Sequence, residues 1–149
     1  MKRIVAALVF CVTLAGVCAA QKKGTAPEAE ALVKKAVAFL KANGKEKALE
    51  AITDPKGKFV SGDLYVFVYD LNGKCLAHGG NAKMVGKDLI DLRDADGKAF
   101  VQERIAIVKE KGKGWQNYKW TNPVTRLIEN KTAYLELVDG VIVGCGAYQ

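Results

Sequence analysis

The sequence contains one histidine, His78, and one serine, Ser61, so few acid–base or nucleophilic arrangements are possible. A serine hydrolase needs its nucleophile beside a histidine base, usually in a Gly-x-Ser-x-Gly turn, and Ser61 is not in such a motif. A single histidine also excludes a histidine-rich metal site. The residue types therefore favour binding over catalysis, and we expect no catalytic residue, no resident metal and no cofactor.

A cation inside a predicted strand, Lys131, is the best candidate for binding an anion. If it faces a pocket, it can neutralise a carboxylate whose burial alone would be costly, and otherwise it is a solvated edge residue. On its face Lys131 is the one permanent cation that we expect near His78 and Tyr118. His78 is either a hydrogen-bond donor to the same carboxylate or a cap at the end of its strand.

Aromatic side chains are dense on the predicted strands around Lys131. Small-ligand pockets are mostly apolar with a few well-placed polar groups, although core packing explains at least half of these aromatics equally well. The candidate ligand-binding residues are Tyr69, His78, Tyr118, Trp120, Lys131 and Tyr134.

Amphipathic helices are predicted before the strands. Thr25, followed three residues later by Glu28, forms a capping box that opens a long helix, and Asn43-Gly44 ends it. A shorter helix ends at Asp54-Pro55.

A third helix is predicted from Asp96-Gly97 to Gly112, with Phe100, Val101, Ile105 and Val108 facing inward. Four aspartates precede it, at positions 88, 91, 94 and 96. They lack the spacing and the closing glutamate of a calcium loop, so we expect Asp94 or Asp96 to cap this helix instead.

Five segments have the composition and alternation of strands: residues 65–69, 75–78, 115–120, 128–138 and 141–148. Asn72-Gly73 is a strong hairpin signal. With a two-residue turn, His78 lies opposite Phe67 and Leu76 lies opposite Tyr69. One face of this hairpin then carries Tyr65, Phe67, Tyr69, Leu76 and His78. The other carries Val66, Val68, Cys75 and Ala77. Such tight hairpins predict an antiparallel α+β domain.

The first twenty residues have the pattern of a signal peptide. Lys2 and Arg3 precede an uncharged apolar run over residues 4–17, and Cys18-Ala19-Ala20 offers small residues for cleavage. The run is shorter than the about 20 residues of a spanning helix, which disfavours the alternative of an uncleaved anchor. A lipoprotein is disfavoured by the bulk of Val17. We therefore expect a periplasmic or secreted protein with no membrane insertion after removal of the leader, and a single domain over residues 21–149.

The charge distribution argues against nucleic acid as a partner. Without Lys2 and Arg3 the net charge is +5, from 21 basic and 16 acidic residues. The lysines alternate with glutamates and glycines, as in Lys45-Glu46-Lys47, which indicates a solvated surface rather than a nucleic-acid-binding face.

The order and composition of these segments resemble the single Cache domain of the second type, found in bacterial extracytoplasmic sensors. The resemblance covers residues 28–148 and depends chiefly on residues 65–78 (YVFVYDLNGKCLAH) and 84–92 (MVGKDLIDL). It continues through Asp96-Gly97, Gly114-Trp115, Tyr118-Lys119-Trp120, Asn122-Pro123, Lys131, Tyr134 and the final GCGAY at 144–148.

The resemblance implies a PAS-like five-stranded antiparallel sheet in the order 2-1-5-4-3, with the long N-terminal helix on one face and a pocket on the other. A helical connection would join strands 2 and 3. It also implies a small organic acid as the ligand, of the acetate, propionate, lactate or pyruvate type. In this order Cys75 and Cys145 lie two strand spacings apart, about 9.5 Å, so we expect two unpaired thiols.

Members of this family usually sit beside transmembrane helices and act on an output module. The chain ends at Gln149 without such a module, so we expect a free-standing binding protein. The alternative is an interaction subunit of a membrane signalling complex whose pocket is vestigial.

Overall fold

Two helices form before the sheet, and the computed structural model describes residues 22–149. Helix α1 spans Ala26–Asn43 and helix α2 spans Lys45–Thr53. The predicted capping box is present, because Glu28 N–H donates to Thr25 Oγ1 and Thr25 N–H donates to Glu28 Oε2 at 2.8 Å. Gly44 separates the two helices with a φ of 84°, a conformation that glycine adopts without strain.

The predicted signal peptide, residues 1–20, lies outside the described residues, as does the expected cleavage site. The division into a leader and one domain over residues 21–149 stays a prediction. Between residues 22 and 149, no helix combines the length and the apolar character needed to cross a bilayer.

The sheet has the predicted antiparallel topology with one small addition. Its strands are β1 (Val60–Ser61), β2 (Leu64–Asp70), β3 (Cys75–His78), β4 (Lys113–Thr121), β5 (Ile128–Val138) and β6 (Val141–Tyr148). The order is β3-β2-β6-β5-β4, and the two-residue β1 pairs with the start of β2. Apart from β1, this is the expected order 2-1-5-4-3.

Each face of the sheet has its own buried cluster. The α1 face is covered by α1 and α2 and carries Val66, Val68, Val143 and Cys145. The opposite face, here called the pocket face, carries Tyr65, Phe67, Tyr69 and Ile142. This division follows from strand geometry, because alternate side chains point to opposite faces. The α1 face is almost entirely apolar, whereas aromatic residues dominate the pocket face.

The hairpin of β2 and β3 departs from the predicted register near its turn. Phe67 pairs with His78 as expected, but a bulge after Val68 places Cys75, not Leu76, opposite Tyr69. A bulge sets two residues of one strand against one of its partner, so the faces of Cys75 and Leu76 are exchanged. Cys75 therefore joins the pocket face, and Leu76 packs against the α1 face.

Cys75 and Cys145 are free and buried, as the strand order implied. They lie on opposite faces of the sheet. Burial raises the pKa of the Cys75 thiol to about 11 and that of the Cys145 thiol to about 12, so both stay protonated at neutral pH.

Helix α3 spans Phe100–Lys111 and packs on the pocket face with the four predicted apolar residues inward. The expected aspartate cap is wrong: the N-cap is Ala99, and no side chain caps the helix. Asp94 instead accepts hydrogen bonds from the N–H groups of Asp96, Lys98 and Lys119. Asp94 thereby fixes the loop against β4, and its carboxylate has hydrogen-bond partners without capping the helix.

The pairing of β2 with β6 leads to a stability prediction. The Phe67 ring lies directly over Gly144, so an added Cβ would meet ring atoms Cε2 and Cζ and also Leu135 Cδ2. We expect Gly144→Ala to lower the free energy of unfolding by about 1–3 kcal/mol, the usual cost of overpacking a core. Urea denaturation measures this. Gly114→Ala is the control, because its methyl group meets only Ile107 Cγ2. Equal effects of the two substitutions would contradict the predicted close approach.

Candidate ligand-binding site

Five of the six residues singled out from the sequence lie on the pocket face. Tyr118 on β4 pairs directly with Lys131 on β5, which puts both side chains on the same face. Trp120 follows two residues after Tyr118 and packs on Phe100 with ring centroids 5.4 Å apart. Tyr69 and His78 lie across the sheet on β2 and β3. The strands therefore bring a lysine, a histidine and three aromatic residues to one face.

Tyr134 does not belong with the other five. It lies on the α1 face, where its ring packs 5.2 Å from that of Trp115. On β5 it is an odd number of residues from Lys131, so the two side chains point to opposite faces of the sheet. The grouping of Tyr134 with the candidate site is therefore corrected.

Lys131 is a buried cation, only 1% exposed. Its stem passes over Gly146, and its Nζ lies 3.8 Å from the centroid of the Tyr65 ring and 3.4 Å from the Tyr148 hydroxyl. No carboxylate among residues 22–149 forms an ion pair with it. Burial, with a smaller contribution from the charge of the nearby Arg104, lowers the pKa of Lys131 to about 7. At neutral pH the Lys131 amine is therefore partly protonated, and a nearby anion would increase its protonation.

Arg104, on helix α3, is a second buried cation that the sequence analysis did not identify. It is 1% exposed, and its guanidinium carbon lies 4.6 Å from the centroid of the Phe67 ring and 4.7 Å from that of Tyr69. Phe100 and Tyr118 complete the aromatic enclosure at 5.0 and 5.3 Å. The expectation that Lys131 is the one cation on this face is therefore wrong, because Arg104 is buried there as well, beside Tyr118.

A signal for Arg104 was present in the helical spacing. It lies four residues after Phe100 and four before Val108, in line with two inward-facing apolar positions. An arginine in the middle of an apolar stripe is either a long side chain reaching solvent or a buried charge. The burial of Arg104 by four aromatic rings decides between these two cases.

Gln116 is hydrogen-bonded both to Arg104 and to the carboxylate of Glu103. Arg104 Nε donates to Gln116 Oε1 at 3.3 Å, while Gln116 Nε2 donates to Phe100 O at 2.6 Å and to Glu103 Oε2 at 2.7 Å. Glu103 forms its ion pair with Lys98 at 2.9 Å. Arg104 Nη2 is left buried without a hydrogen-bond partner. Buried polar atoms almost always have a partner, so this N–H group is available to a ligand.

His78 supplies a neutral donor to the same face. It is 3% exposed, and its ring lies 4.9 Å from that of Tyr65 and 6.4 Å from that of Phe67. Burial, together with the charges of Lys131 and Arg104, lowers its pKa to about 3. Nδ1 accepts from Asn81 N–H at 2.9 Å, so the ring proton is on Nε2. His78 therefore caps the end of β3 with Nδ1, and its Nε2–H group remains as a hydrogen-bond donor.

Two tyrosines missed in the sequence analysis extend the polar network. Lys131 Nζ donates to the Tyr148 hydroxyl, which in turn donates to Thr121 O at 2.9 Å. The Tyr65 hydroxyl lies 3.1 Å from that of Tyr148 and donates to it. Burial raises the pKa of both phenols, so they remain neutral hydrogen-bonding groups.

A cavity of about 480 Å³ opens beside this network. Tyr65 and His78 form its inner end, and Trp120 forms part of its wall. Neither Arg104 nor Lys131 lines this cavity: Lys131 Nζ lies 3.8 Å from the centroid of the lining residue Tyr65, and both cations lie near the Phe67 ring, with Arg104 at 4.6 Å and Lys131 at 5.8 Å. Two buried cations and a neutral N–H donor next to a cavity can bind a small anion.

Comparison with known proteins places the chain in a family with this architecture. The family model of Single Cache domain 2 matches residues 28–149, and the chain belongs to this family.

Two curated relatives align with it over 88 residues, or 58% of this chain. The methyl-accepting chemotaxis protein McpP of Pseudomonas putida is 35% identical, and the sensor histidine kinase MctS of Rhizobium johnstonii is 36% identical. The match spans only 16% and 19% of their lengths, respectively.

Solved sensor domains share the fold. A methyl-accepting chemotaxis protein from Vibrio parahaemolyticus superposes with a TM-score of 0.70 at 26% identity, over 82% of this chain and 86% of its own. A Cache chemosensory domain that recognises carboxylic acids gives a TM-score of 0.64 at 30% identity, over 80% and 84% of the two chains. The periplasmic sensor domain of a chemotaxis protein also gives 0.64, at 28% identity and with 80% and 86% coverage.

The lowered pKa of Lys131 leads to a prediction about stability and pH. Its pKa falls from 10.5 to about 7 on folding, so between these values the unfolded state binds more protons than the folded state. The contribution of Lys131 to the stability of the ligand-free protein should therefore rise with pH across this window, by at most about 1.4 kcal/mol per pH unit. We expect Lys131→Met to flatten this rise in urea denaturation at pH 7 and pH 9.

The exposed Lys87, replaced by Met, is the control, and it should keep the pH slope of the wild type. A Lys131→Met protein with the same slope as the wild type would show that Lys131 is not the group whose protonation opposes folding.

Proposed function

We propose that this chain is an extracytoplasmic binding or sensing module for a short organic acid, of the acetate, propionate, lactate or pyruvate type. The observation that carries the proposal is the burial of Arg104 and Lys131 on one face, without an ion-pair partner among residues 22–149. Buried charges are normally paired, so a ligand carboxylate supplies the missing anion.

The three polar groups have complementary roles toward a carboxylate. The unpartnered Nη2 of Arg104 donates to one oxygen, and a guanidinium binds carboxylates with good directional fit. His78 Nε2–H donates without adding charge, because its low pKa keeps the ring neutral. Lys131 becomes fully protonated when the anion arrives, since an opposite charge raises the pKa of an amine. Binding of the acid is therefore accompanied by proton uptake near neutral pH.

The relatives support this assignment in outline. One neighbour of 30% identity recognises carboxylic acids, and it shares most of its length with this chain. The curated relatives are a chemotaxis receptor and a histidine kinase. On this basis we propose a membrane signalling protein as the partner and a periplasmic or secreted location after cleavage at residue 20. We propose binding without turnover, because the site contains cations and neutral donors but no activated nucleophile.

A vestigial pocket is the competing assignment, and thermal denaturation separates the two. A ligand that binds only the native state raises the melting temperature as its concentration exceeds its dissociation constant. We expect at least one acid among acetate, propionate, lactate and pyruvate to stabilise the protein, with the matched primary amides as uncharged controls. If no acid in the panel changes the melting temperature more than its amide, the carboxylate proposal is wrong.

Substitution of the two buried cations tests how the acid is held. Lys131→Met and Arg104→Met keep much of the side-chain volume and remove the charge. Because hydrogen bonds to charged groups contribute about 1.5–3 kcal/mol, we expect each change to weaken binding about tenfold or more. Isothermal titration calorimetry with the best acid of the panel measures this.

Lys119→Met is the control, because Lys119 lies on β4, is paired with Asp96 and is not part of the buried network. Circular dichroism checks that each variant is folded. Equal dissociation constants for the wild type and for a folded Lys131→Met protein would remove Lys131 from the site, and the same holds for Arg104.

A further inference from the structure

The mouth of the cavity carries a second pair of cations. Lys83 and Arg126 line the cavity and are exposed, whereas Tyr65 and His78, which also line it, are buried. None of the residues lining this cavity is acidic. Along residues 22–149, neither Lys83 nor Arg126 forms an ion pair. The cavity thus has positive charge at its mouth as well as next to its inner end.

The backbone holds both rim cations in place. Lys83 lies in a short 3₁₀ turn, Ala82–Met84, whose first residue follows Asn81. The Asn81 side chain accepts from Lys83 N–H at 3.1 Å, and Asn81 N–H donates to His78 Nδ1. The turn that carries Lys83 is therefore joined to a residue of the buried site.

Arg126 is held on the other side of the mouth, in the turn between β4 and β5. Its φ is 65°, a left-handed conformation that side-chain-bearing residues seldom adopt. Its N–H donates to the carbonyl of the buried Asn122 at 2.9 Å. Strained backbone of this kind persists where the surrounding structure fixes it, and it is concentrated at binding sites.

The cavity is also larger than a two- or three-carbon acid requires. Its volume of about 480 Å³ lies within the range of about 300–1,000 Å³ typical of sites for much larger molecules. A ligand held only by one carboxylate at the inner end would leave the mouth and its two cations in water. A longer ligand with an anion at each end would use both.

We propose that Lys83 and Arg126 form a second anionic subsite, so that the preferred ligand is a linear dicarboxylate. One carboxylate lies at the His78 end of the cavity, next to the buried Arg104 and Lys131, and the other lies between the two rim cations. This inference rests on the proposed function, because it extends the same site, and it replaces a two- or three-carbon monocarboxylate by a longer diacid as the best ligand.

The test compares acids of equal length with one and with two carboxylates. Calorimetric titration is carried out with butyrate and succinate, pentanoate and glutarate, and hexanoate and adipate. For at least one pair we expect the diacid to bind about fivefold more tightly or better, because exposed ion pairs are each modest and two act together. Lys83→Gln combined with Arg126→Asn should abolish this preference and leave the monocarboxylate affinity unchanged. Asparagine is chosen at position 126 because it tolerates a left-handed backbone.

Lys87→Gln is the matched control, since this exposed lysine on the same loop does not line the cavity, and it should keep the preference. If monocarboxylates bind but no diacid binds more tightly, the second subsite is wrong and the proposed function stands. A diacid preference that survives the double substitution also overturns the subsite. If no acid of either kind binds, this inference fails, and the melting-temperature panel of acetate, propionate, lactate and pyruvate decides the proposed function separately.

Discussion

Two cations, Arg104 and Lys131, are removed from water on one face of a sheet whose described residues offer them no carboxylate. Removing a charge from water costs several kcal/mol, roughly, even after the protein relaxes around it. The fold offsets part of this cost with aromatic rings, whose faces attract cations, and four of them surround Arg104. Three rings also lie near Lys131, but burial still lowers its pKa to about 7. The part of the desolvation cost that the rings do not offset would favour the binding of an anion beside the two cations.

Much of the local sequence of β6 is required by this arrangement. Gly144 leaves room for the Phe67 ring, and Gly146 leaves room for the stem of Lys131. Side chains at these positions would push both groups away from the network around Tyr148. The opposite face of the same strand carries Val141, Val143 and Cys145 against α1. One strand thus packs the stable core with its odd positions and makes space for the site with its even positions.

The fold was predictable because its signals are local. The capping box at Thr25 and Glu28 and the hairpin signal at Asn72-Gly73 each depend on a few neighbouring residues, and both features are found in the structure. The bulge after Val68 was not predictable, since a two-residue and a bulged turn fit the same Asn-Gly signal. The site was harder to predict for a different reason. The burial of Arg104 depends on four rings from three elements, and no pattern within α3 distinguishes it from a solvated arginine. The placement of Tyr134 on the α1 face could have been predicted from the sequence, because Tyr134 is three residues from Lys131 in the same strand.

The network that holds Lys131 extends beyond the pocket. The Tyr148 hydroxyl, which accepts from Lys131, donates to Thr121 O at the end of β4. The next residue, Asn122, is buried and donates to Asp63 Oδ2 at 3.5 Å, and Asp63 Oδ1 accepts from Gly24 N–H at 2.8 Å. Gly24 directly precedes Thr25, the N-cap of α1. Lys131 is therefore connected to Gly24, just before helix α1, through hydrogen bonds and the peptide bond between Thr121 and Asn122. The hydrogen bonds of Arg104 lead elsewhere: Arg104 donates to Gln116, which donates in turn to Phe100 and Glu103 on α3. Of the two buried cations, Lys131 is the one whose charge state and hydrogen bonds are shared with the segment that begins α1.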